Sequence, residues 1–137
     1  MEQLVLLAGA KRNMKIKIFI IILLFSTSST YAKHLNQEKV YQKYWCDKYN
    51  GEIEYILDDN TRVDCLLPNL AVEFDFAPKW AECIGQAIYY GKKTKRTPAC
   101  VLIMENNYND NRHLQRLHYA ADNNLRIYTI NPDVISK

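Results

Sequence analysis

The segments on either side of Pro68-Asn69 constrain the fold most, because both alternate apolar and polar residues and predict an antiparallel hairpin. Residues 62–67 and 70–76 place Asp64 and Glu73 at mirror positions about this dipeptide. Directly opposed residues have Cβ atoms roughly 4.5 to 5.5 Å apart, so the two carboxylates would lie side by side. Like charges this close destabilise a sheet unless a cation or a shared proton lies between them. The hairpin therefore predicts a divalent-metal site.

The first 32 residues have the layout of a secretory signal peptide. Two lysines precede an apolar run from Ile18 to Phe25, and small polar residues then lead to Ala32. The run is well short of the roughly 20 residues of a membrane span, so the segment predicts a periplasmic or secreted protein without a stable membrane anchor. Met14 is the expected start, because the residues before it precede a complete signal sequence.

Without the predicted signal peptide, the chain is one domain, residues 33–137, with no formal net charge. The whole chain has 18 Lys and Arg against 15 Asp and Glu, and residues 1–32 contain four of the former and one of the latter. The balance excludes a global attraction for nucleic acid, so any such binding must be local. The remaining length suits one domain with its own core.

All four cysteines lie in the predicted exported part, where an oxidising compartment permits disulfide bonds. Cys46 with Cys65 would tie the first predicted helix to the hairpin, and we expect this one bond. Cys83 and Cys100 fall in apolar segments, where buried free thiols are an equally good interpretation. The chain contains no CxxC pair, so the spacing does not resemble a zinc site.

Hydrophobic periodicity predicts an α/β fold with the order helix, three strands, helix, strand, helix, strand. The predicted helices cover residues 36–48, 78–91 and about 109–123, and the predicted strands cover residues 52–57, 62–67, 70–76, 99–104 and 126–130. The fourth strand is a continuous apolar run, typical of a strand buried on both faces. A hairpin that continues into helix and strand units gives a mixed sheet flanked by helices.

A polar stripe follows one face of the second predicted helix. Lys79, Glu82, Gln86 and Tyr90 recur at spacings of three, four and four, which aligns them along the helix. Such a stripe is also ordinary for a solvated helix. Lys79 follows Asp75 by only four residues, so its side chain could reach back to the predicted carboxylate cluster.

These residues resemble the signature of the restriction-endonuclease-like PD-(D/E)XK nuclease superfamily. Its core has the order αβββαβ, and its signature is an acid on one strand followed by acid-X-lysine on the next. Asp64 matches the first acid, Glu73 the second, and Glu38 an additional acid that many members use. Residues 86–90 are similar to the QxxxY motif of the RecB-like branch. The stretch 62–105 is similar to small exported bacterial members.

The resemblance implies an exported nuclease that hydrolyses phosphodiester bonds with Mg²⁺ or Mn²⁺. Asp64 and Glu73 would bind the metal. Asp75, a further candidate catalytic residue, occupies the position where the signature has lysine, and Lys79 from the next helix is the expected replacement. An alternative role for Asp75 is an ordinary cross-strand ion pair with Arg62, which stands opposite it in the predicted hairpin.

Four further residues are candidates for substrate binding. The resemblance implies that Gln86 and Tyr90 contact the nucleic-acid backbone or support the cluster. Lys92 and Lys93 begin a dense basic run after the predicted helix, where they are candidate phosphate contacts. A solvated turn also explains such a run.

Two alternatives to an active nuclease stay open at this stage. The first is a catalytically inactive domain of the same fold that binds nucleic acid or a periplasmic protein. The second is a small disulfide-bonded structural protein whose acidic pair is neutralised by Lys79 and Arg62.

Overall fold

The protein forms an α/β fold in a computed structural model that describes residues 33–135, except the side chains at 107 and 108. The predicted order of elements is confirmed. The elements are α1 (Glu38–Lys48), β1 (Glu52–Ile56), β2 (Arg62–Leu66), β3 (Leu70–Phe76), α2 (Trp80–Thr94), β4 (Thr97–Ile103), α3 (Asn107–Ala120) and β5 (Arg126–Ile130), with short 3₁₀ turns at Ala77–Lys79 and Pro132–Val134. The predicted signal peptide lies outside the described residues.

The five strands form one mixed sheet in the spatial order β1-β2-β3-β4-β5. The first three strands pair antiparallel, and β3, β4 and β5 pair parallel. The hairpin has the predicted register, with Cys65 opposite Val72 and Leu66 opposite Ala71. The same register, continued along both strands, sets Asp64 opposite Glu73.

Helices cover both faces of the central strands, which explains why β4 is a continuous apolar run. On one face, Val72, Phe74 and Phe76 of β3 pack with Tyr41 and Trp45 of α1. The opposite face packs against α2 and α3 through the buried side chains Cys83, Ala87, Cys100, Leu102 and Leu117. The alternation predicted for β3 is therefore confirmed, and its polar residues share the face that carries α2.

The second helix is longer than its sequence predicts. Gly91 was expected to end it, but α2 continues to Thr94 and Lys95 takes the left-handed conformation that terminates it, with φ 56°. Gly91 has a packing reason instead. A Cβ at this position would lie 3.0 Å from the Arg96 carbonyl oxygen and 3.0 Å from Pro98 Cβ. The glycine thus permits a close approach of α2 to the start of β4.

All four cysteines form disulfide bonds. Cys46–Cys65 is the predicted pair, and it ties α1 to β2. Cys83 and Cys100 are also bonded, so the free-thiol interpretation is wrong. The pair forms because the inward face of α2 places Cys83 directly against β4, with the two Cα atoms 5.8 Å apart. Two disulfides accord with an oxidising compartment.

No helix among residues 33–135 combines the length and apolar character that crossing a bilayer requires.

We expect each disulfide to contribute about 3 kcal/mol to the free energy of unfolding, because each closes a loop of roughly 20 residues in the unfolded chain. The test is urea unfolding of the oxidised protein beside two double variants, Cys46→Ser with Cys65→Ser and Cys83→Ser with Cys100→Ser. A double variant as stable as the oxidised wild type would contradict a structural role for that bond.

Candidate functional site

The five predicted catalytic residues line a single polar cavity of about 380 Å³. They reach it from α1, β2, β3 and the turn before α2, and they are Glu38, Asp64, Glu73, Asp75 and Lys79. The cavity lies on the face of β3 that carries α2, because strand alternation directs the polar residues of β3 to that side. Gln86 and Tyr90 of α2 line it as well.

Asp64 and Glu73 form the centre of the cavity wall. Asp64 is half-buried, and its Oδ2 accepts a hydrogen bond of 2.8 Å from the main-chain N–H of Phe74. Glu73 is only 5% exposed, and its Oε2 has no hydrogen-bond partner. A buried carboxylate oxygen without a partner is costly, so this oxygen favours a proton or a bound cation.

The pKa values of the carboxyl pair are raised. Burial is the main cause for both residues. The nearby charges of Asp64 and Asp75 raise the pKa of Glu73 further, while the Phe74 N–H opposes the shift at Asp64. The proximity of the two carboxyl groups favours the protonated form of Glu73 and the charged form of Asp64. Without a cation, the pair therefore holds a proton at neutral pH.

Asp75 and Lys79 form an ion pair at the edge of this pair of acids. Lys79 Nζ lies 3.6 Å from Asp75 Oδ1 and 3.4 Å from a carboxylate oxygen of Glu82. Asp75 is 3% exposed, and its Oδ2 has no hydrogen-bond partner. Burial raises the pKa of Asp75 to about 7, against the opposing effect of the Lys79 charge. The side chain of Lys79 thus extends to the acidic cluster from the turn before α2.

The alternative ion pair between Asp75 and Arg62 does not form. Arg62 Nη1 instead donates to Glu54 Oε2 at 2.7 Å, across the β1–β2 hairpin. Arg62 lies at the start of β2, where it pairs with Ile56 of β1, whereas the pairs between β2 and β3 lie at Cys65–Val72 and Leu66–Ala71. Asp75 is left with Lys79 as its cationic partner.

Gln86 and Tyr90 supply neutral polar groups to the cavity. Tyr90 is largely buried, and its hydroxyl donates to Gln86 Oε1 at 3.4 Å. Burial, with the nearby Glu73 and Asp64, raises the pKa of Tyr90 to about 12, so its hydroxyl stays protonated. Gln86 is exposed at the rim. The amide N–H groups of Gln86 are therefore available as hydrogen-bond donors near the carboxylates, while the Tyr90 hydroxyl proton is donated to Gln86.

The structure does not bring Lys92 and Lys93 into the cavity. Lys93 pairs with Asp58 and Asp59 in the β1–β2 turn, so its charge is already compensated. Lys92 lines a separate, smaller cavity with Lys95, on another side of α2. The basic run therefore does not extend the carboxylate site.

Five other residues line the cavity that were not among the predicted catalytic, metal-binding or substrate-binding residues. Glu54 comes from β1, Asn60 and Thr61 from the β1–β2 turn, Arg62 from β2 and Phe74 from β3. For Glu54 the sequence did contain a signal. Residues 52–57 and 62–67 alternate on either side of a turn, and the register in which β1 pairs with β2 sets Glu54 opposite Asp64. The β1–β2 hairpin, whose second strand carries Asp64, therefore forms one wall of the site.

The donor set fits a hard, well-hydrated cation. No three His, Cys, Asp or Glu side chains within residues 33–135 converge closely enough to hold a metal by themselves. Asp64 and Glu73 offer two carboxylates, and the free Oε2 of Glu73 is one of the oxygens available. Mg²⁺ is usually bound by one or two carboxylates and keeps several water molecules. A two-carboxylate site therefore suits Mg²⁺ better than zinc, which prefers a closed set of four ligands.

We expect the metal-free protein to lose stability as the pH rises from about 4 to about 7. In the unfolded chain Asp75 titrates near 3.8, whereas its pKa in the fold is about 7. Between these values the folded state binds more protons than the unfolded state, so the free energy of unfolding falls as the pH rises. Urea unfolding in EDTA at pH 5 and pH 8 measures the loss.

Asp75→Asn is the matched variant, because it keeps the size of the side chain and removes its titration. The pH dependence of this variant should be weaker than that of the wild type by on the order of a few kcal/mol. Identical pH dependence in the two proteins would contradict the raised pKa of Asp75.

Comparison with known proteins assigns no family to the chain. No protein-family model, no curated protein and no solved structure matches it.

Proposed function

We propose that this protein is an exported, metal-dependent phosphodiesterase that cleaves nucleic acid, of the PD-(D/E)XK type with a migrated lysine. The observation that carries the proposal is the buried Glu73 carboxylate, whose unpartnered oxygen lies beside Asp64 in the cavity wall. Lys79 supplies a positive charge next to these acids. Acidic metal ligands beside a cation are the arrangement that phosphoryl chemistry needs.

Asp64 and Glu73 would hold the metal, and the hydrogen bond from the Phe74 N–H fixes the orientation of Asp64. A bound Mg²⁺ or Mn²⁺ supplies Lewis acidity at the phosphate. Glu38 lines the same cavity from α1 and adds negative charge near the pair. Its contribution would be to strengthen the attraction for a divalent cation.

Lys79 acts as a charged donor in this proposal. The neighbouring Asp75 raises the pKa of Lys79, so the ammonium group keeps its proton at neutral pH. It can therefore stabilise negative charge on a phosphate oxygen, but it does not serve as a base. Its contact with Asp75 holds the ammonium group at the edge of the acidic cluster.

Asp75 is the residue best suited to accept the proton of the attacking water. Its pKa of about 7 matches the requirement for a general base near neutral pH, and its Oδ2 has no other partner. In the signature, lysine occupies this position, whereas here an acid occupies it. Asp75 would therefore accept the proton of the attacking water, and Lys79 would supply the positive charge that stabilises the phosphate oxygen.

The order of elements from α1 to β4 supports this assignment, since it is the αβββαβ order that the resemblance implies. The two disulfides support export to the periplasm or the exterior, together with the predicted signal peptide.

A second candidate function is binding of nucleic acid or of a periplasmic protein without catalysis. Asp75 in the lysine position is the observation that favours it. The third interpretation, a structural protein whose acids are neutralised by Lys79 and Arg62, is weaker because Arg62 pairs with Glu54 instead.

The oxidised protein should cleave single-stranded or double-stranded DNA or RNA in the presence of Mg²⁺ or Mn²⁺. Asp64→Asn and Glu73→Gln should each lower the rate by about 10³-fold, because the metal contributes several kcal/mol at the transition state. Asp47→Asn on α1 is the matched control, since Asp47 is an exposed acid outside this cavity. Gel analysis of labelled oligonucleotides measures the cleavage.

Absence of cleavage with every substrate and both metals would refute the proposed enzymatic activity. Binding of the oligonucleotides without cleavage would then favour the second candidate function. Cleavage that persists unchanged in Asp64→Asn and Glu73→Gln would show that the activity belongs to another site or to a contaminant.

A further inference from the structure

Arg62 and Glu54 stand at the rim of the cavity and have no part in the proposed chemistry. Arg62 and Lys79 are the two cationic side chains among those that line it. The Arg62 side chain is 59% exposed, and its bond to Glu54 uses only Nη1. The other guanidinium N–H groups have no protein partner in the described part of the chain, so they are free to bind an anion.

The backbone of Glu54 is strained. Its φ is 52°, in the middle of β1, although Ile53 and Tyr55 on either side are paired with β2. The left-handed conformation is costly for a residue with a Cβ. The other non-glycine residues with positive φ are Asn50, Asn60 and Lys95, and these lie in turns or at a helix end. Glu54 thus differs from them in lying within a strand.

The ion pair does not by itself account for this strain. An exposed pair between long side chains contributes little to stability, because both ends are hydrated and flexible. Strained residues persist where the surrounding structure fixes them, and they concentrate at functional sites. Glu54 lies opposite Asp64 in the hairpin register, directly beside the acidic pair. The strained residue thus lies at the cavity, where its carboxylate accepts a hydrogen bond from Arg62.

We infer that Arg62, oriented by Glu54, binds a phosphate of the substrate that neighbours the phosphodiester to be cleaved. This inference rests on the proposed function. Arg62 precedes Asp64 by two residues, a span of roughly 7 Å along the strand, which is comparable to the distance between adjacent phosphates of one nucleic-acid strand. A planar guanidinium binds a phosphate through two parallel N–H groups.

The chemical class of the substrate follows from this contact. The preferred substrate is a polynucleotide with at least one phosphate beyond the cleaved one. Arg62 is then a binding residue, and Glu54 is a positioning residue that acts through it.

The test is the affinity of the oxidised protein without the predicted signal peptide, residues 33–137, for a fluorescent single-stranded oligonucleotide, measured by anisotropy in Ca²⁺ over a range of salt concentrations. Arg62→Ala should weaken binding about 10-fold, and it should reduce the slope of log K against log salt by about 0.7, the value for one lost phosphate contact. Arg126→Ala removes the same charge from β5, at the opposite edge of the sheet, and should change neither quantity.

The variant Glu54→Gly distinguishes a role of Glu54 in orienting Arg62 from a role in the stability of the fold. Glycine relieves the left-handed strain, so the melting temperature should rise by about 4 °C while the oligonucleotide affinity falls. A lower melting temperature together with weaker binding would show a merely structural role for Glu54 and would overturn the positioning claim.

The outcomes distinguish this inference from the proposed function. If the wild-type protein cleaves or binds the oligonucleotide and Arg62→Ala binds it as tightly, with the same salt slope, the role of Arg62 is overturned. The proposed function is not affected by that result. A wild-type protein that neither binds nor cleaves any nucleic acid overturns both.

Discussion

The pairing of β2 with β3 is the interaction on which the rest of the structure depends. It brings Asp64 against Glu73, and the Phe74 N–H anchors Asp64 to the neighbouring strand. Both disulfides lie beside this pairing. Cys65 follows Asp64 in sequence and joins β2 to α1, while Cys100 is the β4 partner of Glu73 and joins that strand to α2. Buried carboxylates reduce stability. The covalent bonds and a core on both faces of the sheet offset that cost.

The charges around the cavity are arranged by depth. The acids Asp64, Glu73 and Asp75 line its wall, and burial raises the pKa of each. The cations Lys79 and Arg62 stand at the rim, each more than half exposed and each held by an acid. A divalent cation would be attracted to the interior of such a site. The phosphates of a polyanion would instead meet the rim, where an arginine and a lysine remain accessible.

Local sequence patterns predicted the hairpin register and the order of elements, because alternation and turn residues determine which side chains oppose each other. These patterns could not predict the disulfide bond between Cys83 and Cys100, because it depends on how α2 packs against β4. The strain at Glu54 was equally hidden, because glutamate does not indicate a left-handed conformation as glycine does. Lys93 pairs with Asp58 and Asp59 in a turn far from it in the sequence, and periodicity carries no information about such contacts.

The central claim is that Asp64 and Glu73 form a binding site for a divalent metal. The most direct measurement is anomalous X-ray scattering from crystals of the oxidised protein soaked in Mn²⁺ near pH 8. We expect a manganese peak at bonding distance from both carboxylates, with water completing the coordination. A site without a peak at saturating Mn²⁺, where Asp64 and Glu73 share a proton and bond only to each other, would contradict it.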